Sequence, residues 1–224
     1  MTNTPPPRQL PLTLAHEPAL TRDDLIVAPA NAAAVALIDR YPEWPASVVV
    51  LNGPAGAGKS HIGAIWLSEQ GAVKGDITSI DEALLEAART HPILLDNADA
   101  GRIDETGLFH LINEVKAHGS HLLLLGAAGP ENWAIGLPDL RSRLRAAAQV
   151  EIEAPDDSLL TGVIFKLFAD RQIEIDPQLA QFIVRRIERS LDVARLVVER
   201  MDQLALEQKS RITRSIATQA IETL

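Results

Sequence analysis

Val48-Val49-Val50-Leu51-Asn52-Gly53-Pro54-Ala55-Gly56-Ala57-Gly58-Lys59-Ser60 decides how this chain is read. β-Branched residues run straight into a glycine-rich turn, and the turn runs into the helix-compatible stretch His61-Ile62-Gly63-Ala64-Ile65-Trp66-Leu67. Strand, G-x-x-x-x-G-K-[ST] and helix in this order make a phosphate-binding loop. Glycines let the backbone curl until its amides face phosphate oxygens, and the helix N-terminus adds partial positive charge. Gly53, Pro54, Ala55, Gly56, Ala57 and Gly58 form the cradle, with His61 just inside the helix. Lys59 is placed to reach the β/γ-phosphates and the Ser60 hydroxyl to hold Mg²⁺. An accidental Gly/Ala-rich match is the competing reading, and the flanking strand and helix weigh against it.

Downstream, Gly71 to Gly75 reads as a turn and Asp81 to Arg89 as a helix with Ala83, Leu84, Ala87 and Ala88 on its apolar face. Pro92-Ile93-Leu94-Leu95-Asp96-Asn97 is an apolar run closed by a carboxylate. In a parallel P-loop sheet such a carboxylate emerges beside the metal, so Asp96 pairs with Ser60 as a Mg²⁺ ligand. Leu108 to His118 reads as a helix. His121-Leu122-Leu123-Leu124-Leu125-Gly126 suits a strand covered on both faces. An Ala-rich helix from Leu140 to Ala147 carries Arg141, Arg143 and Arg145, and Val150-Glu151-Ile152-Glu153 alternates like a last strand.

Ala154-Pro155-Asp156-Asp157-Ser158 then marks a boundary, beyond which helices alone are expected: 159–171, 177–189, 193–208 and 215–224. Upstream, Leu25-Ile26-Val27 is a short extended apolar run. Ala32 to Arg40 reads as a helix stopped by Tyr41-Pro42-Glu43-Trp44-Pro45. The first residues carry three consecutive prolines and then Gln9-Leu10-Pro11-Leu12-Thr13-Leu14, an extended segment whose leucines must either fold back on the core or fill pockets on a partner. Composition alone favours fold-back. Three parts follow: an extended tail over 1–20, an α/β nucleotide-binding domain over 21–154 and a small all-helical lid over 155–224.

The formal charge of −9 and the 46% hydrophobic content fit a core-forming chain and disfavour an extended nucleic-acid surface, which wants a basic face. With no cysteine there is neither disulfide nor thiolate zinc site to explain. The start lacks the pattern of a signal peptide, no run is long enough for a membrane span, and a cytoplasmic protein is expected. Six histidines show no ligand spacing, so no structural metal is assigned.

P-loop, Asp96 strand, arginine-bearing helix, last strand and helical lid together resemble the AAA+ ATPases, and among them the DnaA-related branch. Gln9 to Leu14, Gly53 to Ser60, Leu94-Leu95-Asp96-Asn97 and Leu137-Pro138-Asp139-Leu140-Arg141-Ser142-Arg143-Leu144 carry the likeness. The resemblance implies a P-loop AAA+ parallel sheet flanked by helices, with ADP or ATP and Mg²⁺ as cofactors. It reverses the reading of the tail: Gln9, Leu10, Leu12 and Leu14 look like a peptide that binds the DNA polymerase III sliding clamp. It makes Arg143 a finger acting in trans on a neighbour's γ-phosphate, with Arg141 as fallback. Arg195 resembles the lid arginine that touches nucleotide phosphates, and Ile26 and Asn31 are implied in the base pocket. On the residues alone, Arg141, Arg143 and Arg145 read as a solvated face and Asn31 as a helix cap.

Two departures from the family pattern matter. Asn97 stands where most AAA+ ATPases place a second acid, and it cannot take a proton at neutral pH. Gly126-Ala127-Ala128 offers no polar sensor at the end of the adjacent strand. Slow intrinsic hydrolysis is expected, with Asp99 as an offset substitute. The resemblance implies a clamp-associated adaptor that stimulates hydrolysis on the initiator DnaA and meets DNA only through the clamp, without membrane contact and with self-association open. No helix-turn-helix domain is expected after the lid. The competing readings are a P-loop ATPase with its own turnover and a helicase-loader type protein.

Overall fold

The computed structural model describes residues 20–99 and 101–224. Its centre is a parallel sheet of β1 (Val48–Asn52), β2 (Val73–Gly75), β3 (Ile93–Leu95), β4 (Leu122–Gly126) and β5 (Ala148–Glu151), in the order β2-β3-β4-β1-β5. β4 therefore lies between the P-loop strand and the Asp96 strand, with Val48 to Asn52 paired to Leu122 to Gly126 and Ile93 to Leu95 paired to Leu122 to Leu124.

Both faces of the sheet are covered, which is why β1, β3 and β4 are apolar without alternation. Val48, Val50, Leu95, Leu122 and Leu124 face α3 (Glu82–Ala87), α4 (Glu105–His118) and α5 (Pro138–Arg145). Val49, Leu51, Leu94, Leu123 and Leu125 face α1 (Ala32–Asp39) and α2 (Lys59–Glu69), where Trp44 and Trp66 stack at 5.0 Å. The remaining helices, α6 (Asp157–Ala169), α7 (Pro177–Val184), α8 (Leu191–Gln208) and α9 (Arg214–Glu222), enclose a separate apolar cluster around Leu160, Phe168, Ile183 and Met201.

Several expectations need correction. Within the expected turn from Gly71 to Gly75, Val73–Gly75 pairs with β3 as an edge strand, drawing hydrogen bonds that no local pattern announces. The extended run Leu25-Ile26-Val27 leaves a 3-10 turn at Arg22–Asp24 and passes toward α1 without joining the sheet. α4 starts at Glu105 rather than Leu108, because Asp104 accepts from the Gly107 amide at 2.9 Å and caps it. α7 stops at Val184, five residues before the expected end at Arg189, and α8 starts early because Ser190 caps the Val193 amide.

Candidate functional site

The P-loop turns away from β1 under tight steric limits. At Gly53 a Cβ would fall 2.3 Å from the Ile152 carbonyl oxygen, so the strand can leave the sheet only as glycine. At Gly56, φ is +68° and a Cβ would fall 1.9 Å from Ser190 Oγ, so the loop also fits the lid only as glycine. The Gly56 carbonyl accepts from the Leu191 amide at 2.8 Å, tying the N-terminus of α8 to the cradle. Pro54 and Ala55 are exposed, Ala57 is buried, and Gly58 precedes α2.

Lys59 Nζ donates to the Gly53 and Pro54 carbonyls at 2.7 and 2.8 Å. Burial holds its pKa below the usual lysine value, against the opposing pull of Asp96, Asp99 and Asp192. Asp96, at the end of β3, accepts from Ser60 Oγ at 3.1 Å and from the Asn97 amide at 2.8 Å. Among the described residues no cluster of three or more His, Cys, Asp or Glu is disposed to hold a metal. A hydroxyl and one carboxylate are hard oxygen donors, and Mg²⁺ takes one or two such protein ligands with phosphates and waters supplying the rest. Ser60 and Asp96 fit that requirement and would hold the ion, which would supply positive charge against bound phosphate.

Asn97 adopts a left-handed conformation at φ 54°. Asp99, expected as an offset substitute for the second acid, also holds backbone: its Oδ2 accepts the Ala127 and Ala128 amides at 2.7 and 2.9 Å. That carboxylate fastens the loop after β4, where the side chains themselves are alanine.

Beside the cradle, the segment before α1 and the lid enclose a cavity of about 440 Å³ whose walls include Ile26, Asn31, Gly58, His61 and Arg195. The volume is in the range of small-molecule sites. Asn31 is 3% exposed, and both ends of its amide are committed: Oδ1 accepts from the Ala28 amide at 2.8 Å, and Nδ2 donates to the Ile26 carbonyl at 2.9 Å. It does not cap α1 with its side chain; it shapes the loop that presents Ile26. His61 Nε2 lies 3.0 Å from the Thr21 carbonyl oxygen, and Arg195 forms a loose pair with Asp192 at 3.8 Å.

Residues that the sequence reading passed over complete this wall. Asp24 meets Lys166 of α6 at 2.7 Å, binding the segment before α1 to the lid. Asp24 and Lys166 stand 142 residues apart, so nothing local in the sequence pairs them.

Arg143 lies on α5 outside this cavity, its guanidinium 4.7 Å from the centroid of the Phe109 ring of α4. Among the described residues no carboxylate is within ion-pairing distance of it. Arg141, the fallback, instead donates Nε and Nη2 to the Ile135 carbonyl. Gln9, Leu10, Leu12 and Leu14 lie outside the described residues.

No family model matches the chain. An uncharacterised protein of Haemophilus influenzae is 26% identical over 110 residues, which are 49% of this chain and 48% of that protein, so the match spans about half of either. Domain III of the replication initiation protein DnaA from Thermotoga maritima superposes with a TM-score of 0.77 at 16% identity, covering 92% of this chain and 97% of that one. RuvB from Thermotoga maritima gives 0.70 at 17% identity over 89% and 70% of the two chains. AMPPCP-bound DnaA from Aquifex aeolicus gives 0.69 at 16% identity over 84% and 65%. The five-stranded parallel sheet, its flanking helices and the helical C-terminal part are together the AAA+ fold, which DnaA and RuvB share.

Proposed function

We propose that the chain is a nucleotide-binding AAA+ regulator of the Hda type. It holds ADP or ATP with Mg²⁺ in its own P-loop, associates with the sliding clamp through Gln9, Leu10, Leu12 and Leu14, and stimulates ATP hydrolysis on DnaA. The AMPPCP carried by the Aquifex relative supports an adenine nucleotide. Gly53 to His61, Asp96, Arg195, Ile26 and Asn31 would form the pocket for it.

The observation that carries the regulatory role is Arg143. Its guanidinium is stacked on Phe109 instead of being buried in a core, and it has no carboxylate partner among the described residues. A guanidinium held against an aromatic ring is kept in place while its N–H groups remain available to another molecule's γ-phosphate. The chain's own acids support the same division of labour. Asn97 replaces the second acid, and Asp99 is committed to the Ala127 and Ala128 amides. The same finger could equally serve a second copy of this chain.

The test is ADP formation by ATP-loaded DnaA, with and without clamp loaded on DNA. Wild type should stimulate only with the clamp, and Arg143→Ala should lower the stimulated rate by about 10³, the low end for a finger supplied in trans. Stimulation that survives the substitution rejects the assignment. Brisk ATP turnover by the purified chain alone would favour an ordinary ATPase.

A further inference from the structure

Phe182 of α7 carries two guanidinium groups on one ring: Arg186 Cζ lies 3.7 Å from the centroid and Arg214 Cζ 5.4 Å. Arg186 Nη1 also donates to the Phe182 carbonyl at 3.3 Å. Arg185 follows the last turn of α7, and Arg211 precedes α9; all four arginines are exposed. Among the described residues none of the four has a carboxylate within ion-pairing distance. By contrast Arg171, Arg189, Arg195 and Arg200 of the same lid pair with Asp202, Asp157, Asp192 and Glu207.

This arrangement works against its own electrostatics. Arg214 is the first residue of α9, at the positive end of the helix dipole, where a cation is disfavoured. Crowding a second guanidinium onto the same ring adds like-charge repulsion, which an external anion would relieve. Guanidinium groups held against an aromatic ring lose freedom of movement, and their N–H forks can grip two phosphate oxygens at once.

The geometry points to a duplex-DNA phosphate contact at this corner of the lid, made by Arg186 and Arg214 with Arg185 and Arg211 flanking them. An acidic protein partner is disfavoured because protein interfaces anchor on apolar side chains. The large exposed hydrophobics among the described residues are Val27, Leu137, Leu196, Leu206 and Leu224, none of them on α7 or between Lys209 and Arg214. A duplex instead presents dense fixed charge and asks for no apolar anchor. Since the chain as a whole carries −9, the contact is weak in free solution and becomes populated when the chain is held next to DNA.

The inference stands apart from the reading of Arg143 and is tested on the purified chain alone. Fluorescence anisotropy of a labelled duplex of about 20 bp reads the affinity. A contact neutralising about two phosphates weakens about tenfold between about 50 and about 200 mM salt. Arg186→Gln with Arg214→Gln should lower affinity at low salt at least about fivefold and flatten the salt slope, while Lys116→Gln on α4 leaves both unchanged. Salt-insensitive binding, an unchanged double variant, or displacement of the duplex by polyglutamate as effectively as by a second duplex at equal charge overturns the assignment. Should the glutamine pair fail to fold, Arg186→Lys with Arg214→Lys keeps the charge and removes the fork. Affinity must then fall while the salt slope is retained, and an unchanged affinity overturns the proposal.

Discussion

At the scale of single residues, the P-loop shows how one backbone position serves two domains. Gly56 is left-handed and abuts Ser190, so Gly56→Ala places a methyl where the lid already stands. The expected result is a loss of nucleotide affinity of at least about tenfold in calorimetric titration, equivalent to about 1.4 kcal/mol. Affinity within twofold of wild type would mean that the lid moves aside at little cost. Asp96→Asn keeps the hydrogen bond to Ser60 in reach and removes the charge that a divalent cation needs. Mg²⁺ should then no longer strengthen nucleotide binding, while binding in chelator stays near wild type. Asp99 teaches a related lesson: its carboxylate is legible in the sequence, but its two amide donors lie 28 and 29 residues further on.

At the scale of elements, the segment before α1 acts as a strap across the lid. The Lys166 ammonium, followed by the Thr21 hydroxyl, holds the Asp24 carboxyl below its ordinary value of 3.8, and the Asp24 carboxylate holds Lys166 above 10.5. Asp24 contributes stability that is fully present above pH 3.8 and lost as pH falls through its lowered value; Lys166 contributes stability that is present below pH 10.5 and lost above it. Both side chains remain partly open to water, at 28% and 27% exposure, so Asp24→Asn should cost only about 0.5–1 kcal/mol. Thermal unfolding at neutral pH should show that loss, and the gap between variant and wild type should close below pH 3.8. A gap that persists in acid would place the effect elsewhere. The extended run over Leu25 to Val27 joins no sheet because its apolar residues serve this strap: Ile26 lines the cavity beside α6 and pairs with no neighbouring strand.

At the scale of the molecule, the apolar cluster on the α1/α2 side of the sheet and the cluster inside the lid both reach the cavity beside the P-loop, through Leu25, Ala57 and Ile62 on one side and Leu167 and Leu191 on the other. A ligand that touches both parts stabilises the assembly by mass action, about 2.7 kcal/mol at a concentration of one hundred times Kd. ADP with Mg²⁺ should therefore raise the unfolding temperature of the whole chain, and chelating the metal should take back part of the gain; no shift with either would leave the cavity without its proposed ligand. Among the described residues no helix is long and apolar enough to cross a membrane.

What the sequence determined by itself was local: the glycine spacing and Lys59-Ser60 of the P-loop, the buried runs of β1, β3 and β4, and the change to helices alone after Ala154. Each is written in consecutive residues whose spacing states its geometry. Only the tertiary structure decided the rest. β4 is inserted between β1 and β3, Val73–Gly75 becomes an edge strand, Asp99 ties the loop after β4, Asn31 turns back onto its own loop, and Arg143 rests on Phe109. In each of these, except the local turn at Asn31, the partner is remote in the chain. A side chain's donors, acceptors and ring faces do not encode which distant group folding will bring to meet them.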